Sequence, residues 1–205
     1  MLVKNTMHTL VFAAVLGVVC SVLLVTASLF TDPYRRANQQ ADQVRNYLAA
    51  LEVPLPEAAG SAELIDVFNR TIRRVEKGGL ECFEYRPTAD GGPQAVAVAF
   101  SGPGVWGPIE GVMALEPDML TIRGVRFFRQ EETPGLGGEI ASAAFLNRFK
   151  GKQIVGQDGT PGFRVRKSGG GADEPNAVDG ITGATMTSDR VQDMLDTLAK
   201  RIRKE

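Results

Sequence analysis

The sequence predicts an α+β domain behind a single N-terminal transmembrane helix, and three observations predict it. Residues 9–30 carry no charged side chain, and as a helix rising about 1.5 Å per residue they cover roughly 33 Å, enough for a bilayer core. Between residues 80 and 128 short apolar runs alternate with turn residues, as strands do. Over residues 188–204, Val191, Met194, Leu195, Leu198 and Ile202 recur at the spacing of one helix face.

The chain is 205 residues long, which accommodates one such span and one soluble domain with a real core. Its 23 Lys+Arg against 24 Asp+Glu leave a net charge of -1, so no global field favours nucleic acid. With 2 Cys and 1 His, no cluster reaches the four ligands of a zinc, haem or iron-sulfur site, and no metal is expected. Any electron carrier must be organic or belong to a partner. Cys20 lies in the apolar run and Cys82 beyond it, so no disulfide framework is expected.

The apolar run is longer than a typical signal-peptide core of about 7 to 15 residues. A membrane anchor is therefore expected, with a cleaved signal ending near Val25-Thr26-Ala27 as the competing reading. Lys4 on one side and Arg35, Arg36 and Asp32 on the other do not decide the orientation. Residues 34–51 place Ala37, Ala41, Val44, Leu48 and Leu51 on one helical stripe, a stalk or a cover for the core, and Pro54 and Pro56 end it. A second helix is predicted over 62–75 through Leu64, Ile65, Phe68 and Ile72, stopped by Gly78-Gly79. Strands of a mainly antiparallel sheet are predicted at 80–85, 94–100, 111–116 and 120–128, a helix at 142–149, and extended pieces at 153–155 and 163–166. Ser168-Gly169-Gly170-Gly171 reads as a loop, and Ser188 as the cap of the last helix. The division expected is an anchor at 1–31, a helical lead-in at 32–79 and the main domain at 80–205.

Three glycine-containing stretches could approach a flat ligand with bare main chain: Ser101 to Gly107, Glu131 to Glu139, and Asp179 to Ser188. Each could equally be an ordinary turn. The third crowds Thr182, Thr185, Thr187 and Ser188 around Gly183-Ala184 before a helix N-terminus, where unpaired N–H groups and the helix dipole favour an anion such as phosphate. No P-loop or dinucleotide fingerprint is present. A hydrolase triad would need His8, beside the membrane run, as its base. The carboxylates show no acid/base spacing and read as solvated surface charge, so no catalytic residue is assigned.

The turn Gly104-Val105-Trp106, the loop Glu132-Thr133-Pro134-Gly135-Leu136-Gly137-Gly138-Glu139 and the segment Asp179 to Ser188 together resemble the flavin-binding C subunit of the sodium-translocating NADH:quinone reductase. They resemble the G subunit of the Rnf complex less closely. That resemblance implies an FMN-binding domain. It also implies covalent FMN, a phosphoester on the threonine that ends Thr182-Gly183-Ala184-Thr185-Met186-Thr187, hence Thr187. Thr133, Leu136, Gly137 and Gly138 would wall the ring, and Gly183, Ala184 and Thr185 would surround the phosphate and ribityl chain. Trp106 would contact the ring or sit in the core. Small Gly183 and Ala184 would leave room for a magnesium-dependent flavin transferase that takes the group from FAD.

The implied function is an electron relay from an iron-sulfur centre towards another flavin, among sibling membrane subunits, with no NADH or quinone site of its own. The implied place is the bacterial cytoplasmic membrane, with the domain on the periplasmic side. This chain is shorter than the family between span and sheet. A Rnf-type role, a stand-alone extracytoplasmic carrier and a binding module that never receives flavin are the alternatives.

Overall fold

In the computed structural model, residues 2–56, 59–88, 91–167 and 169–204 are described, excepting the side chains of residues 2–6, 33, 36 and 37. Lys4, Arg36, Ala37 and Ser168 therefore lie outside the described side chains. The chain divides into two compact units, Met1–Gln40 and Ala41–Glu205.

The first unit is helical. Its stretch Met7–Asp32, with mean hydropathy 2.7 and none of its most apolar window buried, is long and apolar enough to cross a membrane. Phe12, Leu23, Leu24 and Phe30 are all exposed on it, which suits hydrocarbon rather than water as the surrounding medium.

The second unit opens with the end of α1 (Leu2–Ala50). Leu48 and Leu51 are fully buried and Tyr47 nearly so, so residues 41–51 cover a core. Next come α2 (Ser61–Thr71) and an antiparallel meander of β1 (Ile72–Lys77), β2 (Leu80–Tyr85), β3 (Ala95–Pro103), β4 (Pro108–Leu115) and β5 (Ile122–Arg129), paired in chain order. The helix predicted over 62–75 stops four residues early. Ile72 faces Tyr85 and Lys77 faces Leu80 across a two-residue turn in which Gly78 and Gly79 have φ of 48 and 72. Two consecutive positive φ values are what a tight hairpin requires, and glycine supplies them at no steric cost. The glycines that read as a helix stop are a strand turn.

Side chains alternate across the sheet and fill a core on each face. Val96, Val98, Phe100, Met113 and Leu115 face one way and meet α4 (Thr185–Ile202) and the fully buried Phe145, Phe149 and Phe163. Ala95, Ala97, Val112 and Ala114 face the other way, against Tyr47, Leu48, Leu51 and Leu64. The second face is built of small residues, which lets helix backbone come close: a Cβ on Gly124 would stand 2.8 Å from the Ala50 carbonyl oxygen.

The helix predicted at 142–149 is a single α turn, α3 (Ala143–Leu146), capped by the Ser142 side chain, and a 3-10 turn (Asn147–Phe149), and another 3-10 turn (Gly137–Ala141) precedes it. A short parallel pair, β6 (Arg164–Arg166) with β7 (Ala177–Asp179), leads into the last helix. β1 and β7 were not legible as strands. The architecture is α+β, with a five-stranded antiparallel sheet and flanking helices after one apolar N-terminal helix.

All five residues predicted for the inner face of α4 are buried. Its start differs from expectation: α4 begins at Thr185, Ala184 occupies the cap position without a side-chain bond, and Ser188 lies inside the helix. The Ser188 Oγ instead accepts from the Ile181 N–H at 3.2 Å. A missing cap costs about 1 kcal/mol, whereas each buried Val, Leu or Ile contributes about 1.5–3 kcal/mol. Packing therefore fixes the helix start.

Candidate functional site

The three glycine stretches converge at the N-terminus of α4. Thr187, the third residue of that helix, is 4% exposed, and its hydroxyl donates to Glu132 Oε2 at 2.6 Å. That is the length of a hydrogen bond to a charged acceptor. The other Glu132 oxygen accepts from the Val105 N–H at 2.8 Å and the Trp106 N–H at 3.2 Å. One carboxylate thus ties the β3–β4 turn to the first turn of α4. Glu132 is itself 5% exposed, which corrects the reading of the carboxylates as solvated surface charge.

Each loop is shaped to permit this. In the first, Gly104 N–H donates to the Gly107 carbonyl at 2.8 Å, and a Cβ on Gly104 would stand 2.5 Å from Glu132 Oε1. In the second, the Thr133 carbonyl accepts from both the Leu136 and Gly138 N–H groups, at 3.1 and 3.0 Å. That fold brings Gly137 so close that a Cβ would lie 2.4 Å from Thr187 Oγ1 and 2.8 Å from Glu132 Oε2. In the third, Gly183 has φ +80 and packs beside Leu136, whose Cδ2 would be 3.2 Å from a Cβ placed there. Arg148 holds the start of this stretch by donating to the Asp179 and Gly180 carbonyls at 2.7 and 3.0 Å.

Of the residues singled out from the sequence, Leu136, Gly137, Gly183 and Thr187 come together directly. Gly138 joins them through the turn closed on the Thr133 carbonyl. Ala184 is buried under the turn, its N–H donating to the Ile181 carbonyl, while Thr133, Thr182 and Thr185 are exposed. Trp106 is 73% exposed, so of its two readings the core one is excluded. Near Thr187 the exposed apolar side chains are Trp106, Leu136 at 44% and Met186 at 64%. Sequence reasoning missed Met186 and Glu132. The signal for Met186 was its place outside the α4 face that Val191 and Leu195 define; no local signal marks Glu132.

An open cleft of about 510 Å³ follows the first glycine stretch and is lined by Gly104, Val105 and Trp106. A groove of about 500 Å³ between Tyr47, Phe100, Phe128, Met194 and Arg201 includes neither Thr187 nor its neighbours. Around Thr187 there is instead a surface of exposed apolar side chains beside a helix N-terminus. Nor does the Thr187 hydroxyl lie open beside small Gly183 and Ala184. It is sealed beneath the 133–138 loop. Among the described residues no three His, Cys, Asp or Glu side chains form a metal-binding group.

Residues 104–200 match the family of the FMN-binding domain. The chain is 38% identical over 109 residues to the C subunit of the Na(+)-translocating NADH-quinone reductase of Yersinia pestis, which takes in 53% of this chain and 41% of that one. It is 26% identical over 217 residues to the C subunit of the same enzyme in Haemophilus ducreyi, with 88% and 84% covered. The match of higher identity thus spans about two fifths of its relative's length. Among solved structures, the C subunit from Parabacteroides distasonis aligns with a TM-score of 0.68 at 29% identity, over 84% of this chain and 96% of that one. NqrC of Shewanella oneidensis shares the fold, with a TM-score of 0.68 at 24% identity over 82% and 100%. These likenesses support the resemblance to the C subunit drawn from the sequence motifs.

Proposed function

We propose that this chain is the flavin-bearing C subunit of a sodium-translocating NADH:quinone reductase, an electron carrier with FMN as a phosphoester on Thr187. The observation that carries this reading is the convergence of all three motif stretches on one hydroxyl at the start of α4. The residues fit the group. Gly137 lets main chain lie directly against the Thr187 hydroxyl, where any Cβ would clash, the first turn of α4 offers backbone N–H groups and the positive end of its dipole to a phosphate, and Trp106, Leu136 and Met186 offer exposed apolar surface to a flat ring.

When bound, FMN supplies reversible electron transfer, and the attachment leaves its ring chemistry to be tuned by the surroundings. The chain's own residues fix where that group sits. Gly137 and Gly138 bring the 133–138 main chain against the attachment point, and Gly183 turns the chain into α4. The buried side chains of α4 hold its first turn against the sheet. An exposed site suits a relay whose electrons arrive from an iron-sulfur centre in one sibling and leave towards a flavin in another. The segment Met7–Asp32 is the membrane anchor, and the domain lies on the extracytoplasmic side, where a magnesium-dependent transferase loads it from FAD. No NADH or quinone site is assigned to this chain.

Co-production with the transferase tests the reading. Full-length protein is expected to give a fluorescent band in a denaturing gel and a flavin mass on the peptide carrying Thr187, with both lost in Thr187→Ala. Flavin found on exposed Thr185, or a dark wild-type band, would overturn it. Recovery from mildly solubilised membranes as a free monomer would favour a stand-alone carrier, and recovery with Rnf components the Rnf-type role.

A further inference from the structure

Taking Thr187 as the flavin acceptor, we infer that Glu132 receives the hydroxyl proton during attachment, so that the acceptor protein supplies the base for its own modification. Transfer from FAD forms a bond between Thr187 Oγ1 and the phosphorus of the flavin half. It breaks the phosphorus–oxygen bond to the other phosphate, and adenosine monophosphate leaves with the bridging oxygen. The threonine must lose its proton as that bond forms, because its hydroxyl is a weak nucleophile until a neighbouring base takes the proton. Glu132 Oε2 stands 2.6 Å from Thr187 Oγ1 and accepts its hydrogen bond, within the reach a general base needs.

Three features separate this contact from incidental packing. Glu132 is 5% exposed and Thr187 4%, so the pair sits in a region where desolvation strengthens the interaction. Among the described residues, the partners that hold Glu132 are the main-chain N–H groups of Val105 and Trp106. They orient the carboxylate without neutralising it as a cation would. Gly137 removes the one Cβ that would push between the two oxygens.

The test uses full-length protein in detergent with purified transferase, FAD and magnesium, following the flavin adduct by intact mass over time. Glu132→Gln keeps the shape and the oxygen that accepts from Val105 and Trp106 but cannot take the proton. Its adduct should form at least about 100-fold more slowly than wild type, the low end of general-base contributions. Glu132→Asp, which withdraws the carboxylate by one methylene, should fall between the two. Thermal melting followed by circular dichroism establishes that each variant is folded, and if Glu132→Gln is not, Glu132→Asp decides. A folded Glu132→Gln, or failing that Glu132→Asp, that gains the adduct at the wild-type rate overturns the role of Glu132 and leaves Thr187 as acceptor intact. A wild-type protein that gains none overturns both.

Discussion

Two glutamates are buried among the described residues, and they are satisfied in opposite ways. Glu84, on β2, is held by cations: Lys77 Nζ lies 3.0 Å from one oxygen, and Arg86 donates to the other at 2.6 and 2.9 Å. Glu132 is held by two main-chain N–H groups and a hydroxyl. The first is an ion-pair cluster that fastens the β1–β2 hairpin. The second keeps a carboxylate oxygen on the hydroxyl proposed to take the flavin. The two are equally buried, and what separates them is the charge of their partners.

That contrast can be broken most severely at Gly137. Gly137→Ala forces a methyl group between Thr187 and Glu132, and overpacking of this kind typically costs about 1–3 kcal/mol. Chemical denaturation should show that loss, and the adduct should fail to form because the hydroxyl is displaced. An unchanged midpoint with normal flavin loading would mean that the contact is looser than the distances imply.

A smaller effect is expected at Glu84. Glu84→Gln should cost about 1–2 kcal/mol, since Lys77 and Arg86 are partly exposed and regain solvent when the charge is removed. Flavin loading should be untouched, because nothing at Glu84 reaches the third motif.

The acid limb of the stability curve sharpens the same contrast. Burial works against the charged form of Glu84, but hydrogen bonds from Arg86 and Lys77 outweigh it and hold the carboxyl below its usual range. A carboxyl lowered in the folded state stabilises it above the unfolded value, near 4.3. That stability is lost as pH falls through the folded value. Melting temperatures of wild type and Glu84→Gln should therefore converge below about pH 4. A constant gap down to strongly acid pH would show that the cluster does not carry the linkage.

The smallest change in stability belongs to Trp106. As an exposed side chain, its replacement by alanine should shift stability by no more than about 0.5 kcal/mol. Flavin-to-tryptophan fluorescence quenching in the loaded protein should vanish with it. A large loss of stability would restore the core reading.

Much of the architecture was legible from periodicity. The apolar stretch, the alternation along β2 to β5 and the inner face of α4 are each set by side chains within one segment facing one medium. The helix predicted through residue 75 failed where a strand partner decided the outcome. Ile72 to Lys77 can be helix or strand alone, and pairing with β2 chose strand. Ser142 is a cap, as its residue type suits, but at a helix of one turn. Ser188 also has a capping residue's chemistry, yet packing of α4 moved the helix start three residues ahead of it.

The threonine-rich turn, the glycines that allow close approach and the segment apolar enough for a bilayer follow from residue type and order alone, because local sterics and hydrophobicity dictate them. Glu132 and Thr187 lie 55 positions apart, with no spacing to link them. Only the sheet, which folds the β3–β4 turn and the 133–138 loop back against the start of α4, brings a carboxylate to that hydroxyl. A contact made across such a distance is a property of the packed chain and is written in no single segment of it.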